Sequence, residues 1–159
     1  MSDLDDLYQE VILDHQRNPR NYVRLPNANR QADGNNPLCG DHVTVYLDIE
    51  DGLIRNISFQ GEGCAIAKAS ASMMTSTVKG KTVAEASAIF KNFHQMVMGG
   101  KDPCFDIEAL GKLAAFSGVS AFPMRVKCAS LAWHTLNTAM HEPGEAIEEA
   151  IEIDKETLK

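Results

Sequence analysis

The sequence contains no apolar run near the roughly 18 residues that a membrane span needs. No basic stretch followed by an apolar one opens it, so no secretory signal is expected. Basic residues are not in excess. The 15 Lys and Arg stand against 22 Asp and Glu, and the resulting net charge of −7 argues against generic nucleic-acid binding. Internal repeats and low-complexity tracts are absent. Cysteine is sparse, at four, and no two cysteines form a C-x-x-C pair, so the spacing is not that of a zinc ribbon or finger. Gly61 and Gly63 are not followed by a G-K-[ST] step, which removes a phosphate-binding loop. The expectation is a cytosolic protein with no membrane and no nucleic-acid partner. In that reducing compartment cysteines serve as thiols or metal ligands rather than disulfides.

What is present is a chain of 159 residues, 44% of them apolar, enough to bury a core without disulfide staples. One domain over residues 1–159 is expected. Its acidity gathers at the ends, in Asp3, Asp5 and Asp6 and again from Glu142 to Glu156, where it reads as solvated surface. The tail from about residue 143 reads as helix-prone and frayed.

Leu4, Leu7, Tyr8, Val11 and Ile12 recur at helical spacing, with Ser2 able to cap and Asn18-Pro19 able to stop the helix. Residues 18–41, rich in Asn, Pro, Arg and Gly, read as a long functional loop. Val43, Val45, Leu47 and Ile49 alternate with polar residues as in a half-buried strand. Asp51-Gly52 supplies a hairpin turn, and residues 53–60 return as a second strand. Residues 65–78 read as a helix, with Cys64 at or just before its start. Thr82-Val83-Ala84-Glu85 is a capping box for another helix, to about Met98. A helix over 106–116 is expected to end at Ser117-Gly118. Pro123 precedes a last long helix to about His141. The predicted class is α+β: a small antiparallel sheet of about three strands, helices packed on one face, and a metal site at one end.

That end is set by three cysteines. Cys39 lies just before the first strand and Cys64 just after the second, so the hairpin brings their neighbourhoods together. Cys64 falls where unpaired N–H groups and the helix dipole favour a thiolate. Cys128 falls near the start of the last helix. Three thiols and a nearby acid make a four-ligand set for a thiophilic metal, and Asp41, two residues from Cys39 across Gly40, is the strongest fourth candidate. The spacing alone leaves open that each cysteine is only a small buried hydrophobe. Arg125, three residues before Cys128, is a candidate to stabilise a thiolate or persulfide, or to pair with Asp41. The remaining candidates have plainer readings. Cys104 reads as a non-ligand thiol, His94 as surface or core polar, and His42 as pointing off the apolar face. Met73, Met74, Met96 and Met98 read as core filler.

Three segments carry a resemblance. They are Asn36-Pro37-Leu38-Cys39-Gly40-Asp41, Gly61-Glu62-Gly63-Cys64-Ala65-Ile66-Ala67-Lys68-Ala69-Ser70-Ala71-Ser72-Met73-Met74, and Arg125-Val126-Lys127-Cys128-Ala129-Ser130-Leu131-Ala132-Trp133. In this order and spacing they resemble the IscU/NifU N-terminal family of iron–sulfur assembly proteins, over roughly residues 3 to 141. Within it the chain looks most like the SufU branch. Where IscU scaffolds carry His before the third cysteine, this chain has Lys127. Where they carry a Leu-Pro-Pro-Val-Lys segment, it has Phe122-Pro123-Met124-Arg125-Val126-Lys127. Residues 93–105 resemble the insertion that marks SufU proteins.

The resemblance implies a site of Cys39, Asp41, Cys64 and Cys128 holding Zn²⁺, with a transient iron–sulfur cluster as the alternative content. It implies a zinc-dependent, sulfurtransferase-like acceptor that takes persulfide sulfur from a SufS-type, pyridoxal-phosphate-dependent cysteine desulfurase and serves downstream iron–sulfur assembly components. The pyridoxal phosphate belongs to that partner. Cys39, on its long loop, is the expected acceptor. The rival readings are a scaffold on which a cluster is built and passed on, and a structural zinc domain that only modulates the desulfurase.

Overall fold

Helix α1 (Asp3–Arg17) ends where Pro19 restricts the residue before it, and its last turn closes with Asn18 N–H donating to Asp14 C=O at 2.8 Å. The computed structural model describes residues 3–26, 28–36, 40–99, 108–141 and 146–147. Val11 and Ile12 of α1 pack against the core. Strand β1 (Arg30–Asn36) follows, and it corrects the reading of residues 18–41 as one loop. Its sequence, Arg-Gln-Ala-Asp-Gly-Asn-Asn, has no β-branched or aromatic residue. It is a strand because it pairs along its whole length with β2 (Asp41–Glu50), from Arg30↔Leu47 to Asn36↔Asp41. Pairing and burial override local preference here.

β2 and β3 (Leu53–Glu62) form the expected hairpin, antiparallel from Glu50↔Leu53 to His42↔Glu62. Its turn needs two residues with positive φ. Asp51 and Gly52 supply them at 53° and 76°. Val43, Val45 and Leu47 of β2 join Ile54, Ile57 and Phe59 of β3 in the core.

Helix α2 (Ala65–Val78) lies over β3. Helix α3 (Val83–Val97) starts at the predicted capping box, with Thr82 and Glu85 bonding reciprocally at 3.0 Å. The helix expected over 106–116 is instead a 3₁₀ segment (Glu108–Ala121). Gly111, at φ 57° and ψ −127°, kinks it, and it runs on through Ser117 and Gly118. Helix α4 (Pro123–His141) begins with Pro123 in its first turn, where a missing N–H is harmless, and packs across β1 and β2. Ala146–Ile147, read from sequence as helix-prone, is an extended β4, parallel to Asp33 and Gly34 of β1. The rest of the tail lies outside the described residues. The sheet order is β3-β2-β1-β4.

The core is centred on α4. Trp133 stacks on Phe93 at 4.7 Å between ring centroids, and Phe93 meets Phe116 edge-on. Each such side chain contributes about 1.5–3 kcal/mol by leaving water. The indole N–H donates to Ser70 Oγ at 3.2 Å, and Ser70 donates to Ala129 C=O at 2.6 Å, so the polar atoms buried with Trp133 are satisfied. Met73, Met74 and Met96 are buried and Met98 packs against the same core, as expected of filler. Among the described residues no helix is long and apolar enough to cross a membrane.

Candidate metal centre

Asp41 opens β2, Cys64 caps α2 and Cys128 sits in the second turn of α4. The hairpin returns the chain to Glu62 opposite His42, which leaves Cys64 one step past the ladder and beside Asp41. α4, lying over β2, carries Cys128 to the same end. One carboxylate oxygen and two sulfurs then lie within 4.8 Å of one another. Two sulfurs bound to one tetrahedral zinc sit about 3.8 Å apart, since each Zn–S bond is about 2.3 Å. The three donors therefore need little movement to share an ion, and two thiols with one carboxylate suit zinc.

The local chemistry is specific to each residue. Asp41 is 1% exposed, and Cys64 N–H donates to its Oδ1 at 3.0 Å. The carboxylate reaches that position because Gly63 has no side chain: a Cβ there would lie 2.8 Å from Oδ1. Cys64 has extended backbone, φ −68° and ψ 169°, and its Sγ accepts from Ala67 N–H at 3.4 Å, the bonding of an N-cap residue. Cys64 Sγ lies 3.9 Å from Asp41 Oδ2.

These surroundings split the two thiols. The pKa of Cys64 falls from 9.0 to about 6, first because the Cys128 thiol donates to it, then with help from the N–H groups of Ala67 and Ile66, while burial and the Asp41 charge oppose. Cys128 is pushed far upward, first by holding its proton for Cys64, then by burial and by Asp41. The two shifts are opposite, downward on the exposed partner and upward on the buried one.

Of the residues singled out from sequence, Asp41, Cys64 and Cys128 meet. Cys39 lies outside the described residues. On either side of it, Gly40, at φ 75°, donates its N–H to Asn36 C=O at 2.9 Å, and Asn36 pairs with Asp41. Cys104, and the part of the 93–105 stretch from residue 100 on, also lie outside. Arg125 is exposed in the first turn of α4, with its guanidinium 4.6 Å from the Phe122 ring centroid. His42 is exposed on β2, and His94 packs with Phe90 and His134. Sequence reasoning missed Gly63 as the space for Asp41, and it missed Tyr22, whose hydroxyl donates to Gly61 C=O at 2.7 Å across 39 residues of chain. No local pattern marks a contact of that kind.

The model of the NifU-like N-terminal domain matches residues 7–129, a span that includes all of this centre. The chain belongs to that family. A relative from Bacillus subtilis described as the zinc-dependent sulfurtransferase SufU is 43% identical over 136 residues, covering 85% of this chain and 90% of its own. An iron–sulfur cluster assembly scaffold protein IscU of Streptococcus pyogenes is 37% identical over 146 residues, 92% of this chain and 90% of its own. Among solved structures, a SufU from Fervidobacterium islandicum, described as an assembly scaffold for the SUF system, superposes with a TM-score of 0.77. It is 38% identical and covers 82% of this chain and 94% of that one. The sequence resemblance to the SufU branch and the α+β fold both agree with these relatives.

Proposed function

We propose that the chain is a zinc-dependent sulfur acceptor for iron–sulfur cluster assembly. It takes sulfur from a pyridoxal-phosphate-dependent cysteine desulfurase of the SufS type in the cytosol and hands it to downstream assembly components. The observation that carries the proposal is the meeting of Asp41, Cys64 and Cys128 at one end of the sheet, with donor atoms within 4.8 Å and Cys64 open to solvent. The likeness to a zinc-dependent SufU over 85% of the chain supports the same reading. These three residues, with Cys39 as the fourth, would hold the zinc. The ion would keep bound thiols deprotonated and protected from oxidation.

Cys39 is the proposed acceptor. In sequence it falls between β1 and β2, two residues from Asp41, whereas Cys64 is fixed by its cap and Cys128 is buried in α4. Its thiolate attacks the outer sulfur of the donor's cysteine persulfide. The donor S–S bond breaks, a new S–S bond forms on Cys39, and the donor cysteine leaves as a thiolate.

Incubation with a desulfurase and sulfur-labelled cysteine, followed by peptide mass spectrometry, tests this assignment. The label is expected on Cys39, and Cys39→Ser should abolish transfer. Normal transfer in that variant, with label on Cys128, would overturn it. The scaffold reading draws on the IscU relatives. It predicts a stable cluster after anaerobic incubation with iron and sulfide, where the acceptor reading predicts retained zinc and no cluster.

A further inference from the structure

We propose that Tyr22 is a positioning residue for the metal corner. Its phenol stands where a neighbouring strand would be and so aims the Cys64 N–H at Asp41. The inference deepens the zinc reading above and rests on it only for the choice of metal.

β3 is the outer strand on its side of the sheet: near its start Ile54 bonds to Gly80 and Lys81, while toward Gly61 no further strand of the described residues lies beside it. The short segment after α1 supplies a partner there. Asn21, in the left-handed region at φ 57°, accepts from Phe59 N–H at 3.0 Å through its backbone carbonyl. Two residues further along β3, the Tyr22 hydroxyl takes both outward groups of Gly61. It donates to the carbonyl at 2.7 Å and accepts from the N–H at 3.4 Å. One phenol thus replaces the two bonds that another strand's peptide would make.

The phenol is itself held. The Tyr22 ring meets Phe59 edge-on at 5.1 Å, and Lys68 Nζ lies 5.3 Å from the ring centroid. Behind it the segment is fastened to α2: Arg20 N–H donates to Ser72 Oγ at 2.8 Å, and Asn21 Nδ2 donates to Thr75 Oγ1 at 3.1 Å. His15, buried in α1, shares Ser72 Oγ at 2.7 Å. A residue 39% exposed is therefore fixed on three sides.

Gly61 is the right place for such a fixing point. At φ 151° its missing Cβ would lie 2.1 Å from His42 C=O, so here β3 presses directly on β2. Beyond Gly61 the ladder has one more pair, His42↔Glu62, and then the chain must deliver Cys64 N–H to Asp41. Tyr22 is the last hold on the outer side before that delivery. If Gly61 is free to rock, the Gly63 gap and the Cys64 cap rock with it.

The test is Tyr22→Phe, which keeps the ring and removes the hydroxyl. In metal-free protein, amide hydrogen exchange at Cys64 should quicken by about fivefold, the effect of one lost hydrogen bond, while the melting temperature falls by no more than about 2–4 °C, the shift that such a loss gives in a domain of this size. Zinc-loaded protein should release zinc to a chelator faster by a similar factor. Lys68→Gln, which removes one weak hold on the ring but keeps both hydrogen bonds of the phenol, should have a much smaller effect on both. Wild-type exchange at Cys64 in Tyr22→Phe would overturn the proposal. Equal acceleration in Lys68→Gln would also overturn it, because any disturbance of the segment would then act alike. If Tyr22→Phe quickens Cys64 exchange while the wild-type protein binds no zinc, the positioning role stands and the zinc reading falls.

Discussion

A methyl group at position 63 would stand 2.8 Å from Asp41 Oδ1, closer than carbon and oxygen tolerate. Gly63 is therefore part of the metal corner although it offers no ligand atom. Its role separates from folding because Gly63 is exposed and packs into no core. Gly63→Ala should push the carboxylate off the Cys64 N–H and lower zinc affinity by about 10- to 100-fold, the range seen when a group that orients a ligand is lost. Competition with a chromogenic chelator measures this, and far-UV circular dichroism should be unchanged. Wild-type affinity in Gly63→Ala would mean that Asp41 does not contribute to binding. At the same scale the two thiols have different tasks. Without a metal, the pKa is lowered at Cys64 on the exposed rim and raised at the buried Cys128. The sequence placed Cys64 at a helix start that favours a thiolate and set Arg125 near Cys128; the further asymmetry comes from burial and from which sulfur donates.

Between elements, the contact that decides the placement of Cys128 is the approach of α4 to β1. Gly34 makes it possible: a Cβ there would lie 2.0 Å from Thr135 Oγ1 and 3.2 Å from Leu131 Cδ1. The Thr135 hydroxyl is occupied in donating to Leu131 C=O at 2.8 Å, so it has no easy retreat. Gly34→Ala should lift α4 from the sheet and cost about 1–3 kcal/mol, as overpacking does. Thr135→Ala should recover part of that loss in the double variant, giving a non-additive cycle in urea unfolding. Strict additivity would show that the two residues do not press on each other. β1 itself was not legible from its residues, because nothing in Arg-Gln-Ala-Asp-Gly-Asn-Asn prefers an extended backbone. It exists through its ladder with β2 and through the space that Gly34 leaves for α4. The 3₁₀ segment was misread for a related reason. Its apolar spacing is helical, but the backbone at Gly111 breaks the α-helical run.

For the whole molecule, the donors come from the start of β2, the cap of α2 and the second turn of α4, so a bound ion would join the sheet to two helices. Metal and folding are then linked, since an ion that binds only the folded chain stabilises it. A strong chelator should lower the melting temperature by several degrees, as expected for a loss of a few kcal/mol in a domain of this size. Cys64→Ser should melt lower without chelator and respond little to it. Full chelator sensitivity in that variant would move the metal elsewhere. Much of this design was readable beforehand. The hairpin followed from alternation and Asp51-Gly52, the start of α2 from its small apolar run after Cys64, and the capping box from Thr82 and Glu85. Each depends on neighbours a few residues apart, where backbone preference and side-chain reach suffice. The family, too, followed from three local motifs. What only the tertiary structure decided are the contacts between distant segments: the strand built by pairing, the Tyr22 hold on Gly61, the room at Gly63, and the division of charge between Cys64 and Cys128. Those depend on distances and burial between segments far apart in the chain, which exist only once they have packed together.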